Sequence, residues 1–375
     1  MRFALTEMRR RPQRFVTATI ILTLITVLLV FLGGLLDGLI AGSTNALAAQ
    51  PGELMVFSAD SQDTLSRSRI TGEQRRTVEA VDGVAAVGGL SVTPLGARLG
   101  DPATRDLLDV AVFGYDLPPR GVPAPPADGQ VWADSELEAD GVTTGTQLLV
   151  GPARTPLTVA GFVADTSYSG QASLWGSPAT WAAVTGANRP DLAVTADVTQ
   201  ALVVQTDDPG LSADGLTALA GAIDGATGGA TSTVTLDAAI EATPGVSQQR
   251  SVFTQIIGVT VIVALVVVAL FFALIVVERT ALYGVLKAMG SRRGALVGGV
   301  LAQAVAVSLL AAAIGAGLAA ALAYALPPGS IPFALSAGRV LSSVTLVLVA
   351  SVLGCLTSLR RVLRIDPASA IGSAT

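Results

Sequence analysis

Few side chains in this sequence can do bond-making chemistry, and the familiar catalytic sets cannot be assembled from them. There is no histidine, which removes Ser-His and Cys-His nucleophile pairs and the commonest zinc ligand. The one cysteine, Cys355, sits in an apolar stretch; it has no partner for a disulfide within the chain and reads as packing. A phosphate-binding loop needs Gly-Lys-Ser/Thr, so that lysine and backbone amides can hold phosphates. The sole lysine, Lys287, stands between Leu286 and Ala288, so the chain carries no such ATP site. Acidic neighbours such as Glu136 with Glu138, or Asp207 with Asp208, have the oxygens for weak cation binding, but a solvated acidic surface explains them more simply. What remains is a charged segment, 278–294, ERTALYGVLKAMGSRRG, suited to electrostatic docking and not to catalysis.

Within that segment Leu282, Val285, Leu286 and Met289 fall at helical spacing, while Tyr283 and Lys287 lie on another face. This predicts a short amphipathic helix that Gly290 can end in the left-handed conformation. An ordinary basic loop beside a membrane satisfies the same charges, so both readings stand on composition alone. The flanks decide what such a helix could move. Both are long and apolar.

Four stretches are long enough to cross a bilayer: 15–40, 252–277, 295–326 and 340–359, in a chain that is 51% hydrophobic with mean hydropathy +0.63. The charges between them give an orientation. Residues 1–14, 278–294 and 360–375 hold 12 basic and 3 acidic side chains, whereas 49–250 holds 10 basic and 24 acidic ones. By the positive-inside rule both termini and the 278–294 segment are cytoplasmic, and one large acidic domain is outside. The overall charge of −5 conceals this segregation. The basic head, apolar run and Ala46-Leu47-Ala48 also resemble a cleavable signal, but the run is about twice a usual signal core. Residues 1–14 read instead as an amphipathic interfacial helix with Phe3, Leu5 and Met8 available to lipid.

The resulting division is 1–14 interfacial helix, 15–48 first span and stalk, 49–250 external domain, 251–277 second span, 278–294 cytoplasmic helix, 295–326 third span, 327–339 external loop, 340–359 fourth span, and 360–375 tail. Inside the spans, Thr17, Thr19, Thr23, Thr26 and Gln303 can bond to backbone or across helices, and Gly33-Gly34 and Gly315/Gly317 allow close approach. Asp37 is the one carboxylate in a span, about a turn from its external end, where it is hydrated or contacts an ion or substrate. In the external domain, strands are expected at 53–57, 107–113, 147–150, 157–163, 201–205 and 232–236, and a helix over 72–80. Five prolines in 118–126 predict an exposed loop, and 225–232 another. The fold class is therefore a four-helix membrane protein with an inserted α+β domain.

The run 277–304, VERTALYGVLKAMGSRRGALVGGVLAQA, resembles the segment after the second span of ABC-transporter permeases of the FtsX/MacB superfamily. The stretch 131–165 resembles the periplasmic core of MacB-type permeases, with Thr146 where an Asp usually follows Gly145. Residues 167–181, SYSGQASLWGSPATW, are similar to shorter permeases of the DevC and HrtB type, and 360–370, RRVLRIDPASA, to the superfamily's basic Asp-Pro tail.

The resemblance implies a non-enzymatic permease subunit in a bacterial cell membrane, paired with a second copy of itself and two copies of an ABC ATPase that binds the ATP and Mg²⁺. It implies a coupling helix in which Glu278, Arg279, Leu286, Lys287, Met289 and Gly290 meet the ATPase. The cargo would be amphiphilic: a lipid, a drug or haem, the last entering only as substrate. Without histidine, haem ligation would fall to Met55, Glu53 or Tyr168, with Asp37 a further substrate contact; packing of Met55 in a strand is the competing explanation. No nucleic-acid partner is implied. A mechanotransmitter that activates a cell-wall hydrolase and a sensor of antimicrobial peptides are the alternative functions.

Overall fold

The computed structural model describes residues 12–100, 107–192, 194–195, 197–278, 293–325 and 332–363. The chain divides into two compact units, one from residues 1–38 and 250–375, the other from 39–249.

The first unit is helical. It draws on α1 (Pro12–Ala48), α6 (Val246–Glu278), α7 (Arg293–Ala325) and α8 (Ala337–Leu363). Each contains a stretch long and apolar enough to cross a membrane: Val16–Ala48, Val246–Ile275, Gly298–Ala325 and Ala337–Thr357. They pack through Leu22, Leu29, Val268, Phe272, Val300, Ala304, Val307 and Val347. Between purely apolar helices in lipid there is no hydrophobic drive, so close backbone approach must supply the contact. It does so at two crossings. A Cβ on Gly315 would lie 2.7 Å from Cβ of Thr26, and one on Gly354 would lie 2.7 Å from the Leu265 carbonyl oxygen. The threonines turn inward to backbone, as Thr26 Oγ1 donates to Leu22 O at 2.8 Å and Thr23 Oγ1 to Ala311 O at 3.4 Å. On α6, by contrast, Val252, Ile256, Val259, Val263, Val266 and Leu270 are exposed at alternating four- and three-residue steps. Such a stripe suits hydrocarbon or another apolar helix and not water, and with four helices of spanning length the protein is a multi-pass membrane protein.

The second unit holds nine strands: β1 (Leu54–Ser58), β2 (Val84–Leu99), β3 (Leu108–Tyr115), β4 (Gln130–Asp134), β5 (Gln147–Val150), β6 (Thr155–Val163), β7 (Ala172–Gly176), β8 (Ala201–Thr206) and β9 (Thr231–Thr235). Their order is β3-β7-β4-β6-β5-β2-β8-β1-β9, and β3 also pairs with β2, so six strands close a circuit while β8, β1 and β9 extend from it. The device is β2. It pairs with β8 over 84–90, with β3 over 90–97 and with β5 over 97–99.

Alternation along the strands sorts the cores. On β3, Val110 and Val112 enter the cluster with Val131, Leu148, Leu157 and Leu174, while Phe113 and Tyr115 face Met55, Phe57, Leu90 and Trp175. Both faces of β3 are covered, which is why it reads as a nearly continuous apolar run. On β1, Leu54 and Val56 turn to a third cluster under α2 (Gly72–Glu79) and α4 (Ala213–Ala226). Helix α2 begins with a capping box: Gln74 N donates to Thr71 Oγ1 and Thr71 N to Gln74 Oε1. Two shorter helices, α3 (Pro178–Asn188) and α5 (Leu236–Ala242), complete the unit.

The strands expected from 53–57, 147–150, 157–163 and 201–205 are present with small shifts. Strand β2 was not expected, since Gly88, Gly89, Pro94 and Gly96 interrupt it. The structure tolerates the proline because Pro94 falls between the β8-paired and β5-paired ends, where β2 has only β3 beside it. The proline-rich loop is less free than its composition suggests. Val122 is buried, Tyr115 OH donates to Pro123 O at 2.6 Å, and Trp132 Nε1 donates to Ala124 O at 3.0 Å.

Candidate functional site

The residues expected to meet an ATPase fall at a boundary of the described chain. Helix α6 ends at Glu278 and α7 begins at Arg293. Arg279, Leu286, Lys287, Met289 and Gly290 lie outside the described residues.

The four substrate candidates divide between the units. Met55 has no exposed surface: it pairs across to Val203 and Val234 on neighbouring strands and its side chain is in the sheet core. A ligand would have to displace that core to reach the sulfur. Tyr168 belongs to the same cluster, 7% exposed, with its ring edge-on to Phe113 at 5.5 Å between centroids. Burial raises its phenol pKa, an effect partly offset by a hydrogen bond with Ser169. Glu53 has a structural task, for its Oε2 accepts from Thr206 N at 3.0 Å.

Asp37, in the helical unit, has a partner that the sequence did not suggest. Arg339 Nε donates to Asp37 Oδ2 at 2.8 Å and Nη2 to Oδ1, a two-point carboxylate clamp with both side chains about a quarter exposed. Arg339 stands in the first turn of α8, where Ser336 caps the helix by accepting from Arg339 N at 3.1 Å. A cation there opposes the helix dipole, and this is the position at which a capping box would carry Glu or Gln. The carboxylate is supplied from α1 instead. The signal in the sequence was numerical: once the charges of the two faces are counted, one acid and one base remain, and they are these two.

The α+β unit also contains a cleft of about 180 Å³ bordered by Arg75, Ser91, Asp116, Trp181 and Thr199. Its polar groups are already engaged. Arg75 donates to Glu79, Asp116 and Val87 O, Asp116 also accepts from Gly89 N, and Ser91 bonds Thr199. With those demands met internally, the cleft offers a ligand little that is unsatisfied. Asp134, 1% exposed, is likewise complete, accepting from Glu136 N, Thr166 N and Thr166 Oγ1. Among the described residues no cluster of three or more acidic or cysteine side chains could hold a metal.

The described residues of the helical unit thus give four long apolar helices and, between α1 and α8, the Asp37–Arg339 ion pair. The family described as FtsX-like permease C-terminal matches residues 255–367. Over that segment the chain resembles the FtsX-like permeases. Over 126 residues the chain is 29% identical to the putative hemin transport system permease protein HrtB of Staphylococcus haemolyticus, a match covering 34% of this chain and 35% of that protein. The chain thus spans about a third of the length of that curated relative. Two solved structures resemble it more distantly. The periplasmic region of MacB from Actinobacillus actinomycetemcomitans aligns with 52% of this chain and 94% of its own, at 11% identity and a TM-score of 0.37. The extracellular domain of YknZ from Gram-positive bacteria aligns with 48% of this chain and 98% of its own, at 15% identity and a TM-score of 0.33.

Proposed function

We propose that the chain is a permease, the membrane subunit of an ABC exporter for an amphiphilic compound, driven by two copies of a separate ATPase and working as a pair of identical chains. The observation that carries this reading is the family match over 255–367, which takes in the second to fourth spans together with the charged segment 278–294. Since the sole lysine stands outside any Gly-Lys-Ser/Thr context, the energy has to enter from another chain. The segment 278–294 serves as the coupling helix, with Glu278, Arg279, Leu286, Lys287, Met289 and Gly290 at the contact. Both termini are cytoplasmic and the α+β unit is outside, in keeping with the charge segregation.

Amphiphilic cargo fits spans whose polar side chains bond inward to backbone, leaving apolar faces to lipid. Haem is one member of that class, prompted by the relative named for hemin transport. The buried Met55 and Tyr168 speak against ligation in the α+β core, so haem would be held by its apolar faces. The test is ATP hydrolysis by the permease reconstituted with its ATPase, with and without lipids, lipophilic drugs or haem. Stimulation by one class identifies the cargo, and an indifferent hydrolysis rate with no transport rejects export.

Mechanical transmission without cargo is the second reading, and one observation favours it. The last turns of α1 belong to the α+β unit and are held within it through the main chain: Ala46 N donates to Ser167 O at 3.0 Å, Ser169 N to Ser43 O at 3.0 Å and Gly170 N to Gly42 O at 2.9 Å. A helix held by its backbone passes on displacement without slippage. An exporter with full ATPase coupling but no cargo flux, and a hydrolase activated in its presence, would favour this reading.

A further inference from the structure

The ion pair between Asp37 and Arg339 is one part of a larger contact. Ahead of α8, residues 332–336 are irregular and pass along α1 at the end that leads into residue 39. Three glycines of α1 receive them. A Cβ on Gly34 would come 2.5 Å from the Phe333 ring, one on Gly38 would collide with the Pro332 carbonyl group, and one on Gly33 with the Arg339 side chain. Ala334 N donates to Gly34 O at 3.0 Å, and the rings of Phe31 and Phe333 stack with centroids 5.5 Å apart. The Gly33-Gly34 pair, expected to allow close approach, gives it to this irregular strap and to the Arg339 side chain.

We infer that residues 332–339 form a releasable clasp on α1, locked by the Asp37–Arg339 pair, and that the permease opens it in its working cycle. The contact is made to come apart. None of residues 332–339 is buried, so the strap can leave without opening the core of the helical unit. At Gly33, Gly34 and Gly38 helix α1 offers no side chain of its own, so the strap meets bare backbone there. Specific closure is left to one two-point ion pair, one ring stack and one backbone hydrogen bond. Opening strands Arg339 against the positive end of α8 and leaves Asp37 unpaired among apolar helices, so the closed position is the resting one.

The test begins with Phe31→Cys and Phe333→Cys introduced together in the full chain, with Cys355→Ala so that no native thiol competes. In native membranes, oxidation or a short thiol-specific crosslinker should join them. Asp37→Asn, Arg339→Gln or both together should cut the yield at least threefold, and the exchange Asp37→Arg with Arg339→Asp should restore it. If the doubly neutral protein crosslinks as well as the parent, the pair only cancels charge and the clasp is wrong. If no variant changes the yield, the clasp is equally wrong.

Release rests on the proposed transport function, whereas closure does not. In the assembled complex, crosslinking should cut cargo-stimulated ATP hydrolysis at least tenfold, with recovery on reduction. A crosslinked complex that works normally makes the strap a fixed brace and overturns release. Failure of the chain to bind any ATPase rejects the exporter reading and the release that rests on it, and leaves the closure result standing.

Discussion

Two charged residues of the α+β unit show how differently similar side chains contribute. Asp116 accepts from Arg75 and from Gly89 N, with about a third of its side chain exposed. Asp116→Ala strands both donors; after allowance for partial solvation it should cost about 1–2 kcal/mol, and Asp116→Asn less. Unfolding of the purified chain by tryptophan fluorescence measures this cleanly, because Trp132, Trp175 and Trp181 all lie in that unit. Glu136 behaves oppositely. Desolvation first, then Asp134 and Asp165, raise its pKa. Because the folded state holds this proton more tightly than the unfolded one, the charged side chain opposes folding above its folded pKa. That penalty fades as pH falls through the folded value and is gone below the unfolded one. Glu136→Gln should therefore stabilise the protein slightly at neutral pH, by about 0.3 kcal/mol for so exposed a group, and lose its advantage in acid. A gain that persisted at low pH would refute the electrostatic cause. The Asp37–Arg339 pair marks the limit of reading residues singly. Asp37 stood out as a carboxylate in a span, but its partner is 302 positions away and no local pattern links them.

Elements were legible where one local rule acted. Thr71 and Gln74 announce the start of α2, and the apolar run of β1 lies between turn residues as expected. They were obscure where tertiary contact overrode propensity. Gly114 belongs to β3, a strand that glycine should weaken, yet a Cβ there would stand 2.6 Å from Trp181 Cβ and 3.3 Å from Pro178 Cα. The glycine is what lets the N-terminal turn of α3 lie flat on the strand. Trp181 cannot swing aside, since its Nε1 donates to Thr93 Oγ1 at 2.9 Å and Thr93 in turn bonds Thr185 at 2.8 Å. Gly114→Ala should thus lift α3 as a whole and cost about 1–3 kcal/mol, the usual penalty for overpacking. Gly186, on the same helix, has open space around its Cβ position and is the control. Alanine there should be neutral or better, by helix propensity. Equal stabilities of the two variants in thermal unfolding would mean that α3 is not seated as described. The same overriding hid β2, whose glycines and proline spoil the pattern of a strand that nonetheless joins both parts of the sheet.

At the scale of the whole molecule, the four-helix part of the fold class followed from hydropathy, because hydrocarbon is a stricter solvent than water and four long apolar segments have few alternatives, whereas the α+β part needed the strand and turn patterns of 49–250. The coupling reading depends on 278–294, and it can be separated from folding because its charges and the tryptophans belong to different units. Lys287→Glu reverses the sole lysine without altering backbone propensity. Gly290→Pro instead removes an N–H and restricts φ where the chain is expected to turn. For docking on an ATPase, both variants should lower co-purification of that subunit and stimulated hydrolysis at least tenfold, while the tryptophan unfolding curve stays at the parental midpoint. Lys287→Arg keeps the charge and should retain most of the coupling. If charge reversal leaves hydrolysis and transport intact, 278–294 is a basic loop that orients the chain, and force must enter the helices elsewhere. If instead both variants shift the unfolding midpoint, the segment braces the fold, and lost coupling would follow from instability and not from a broken contact.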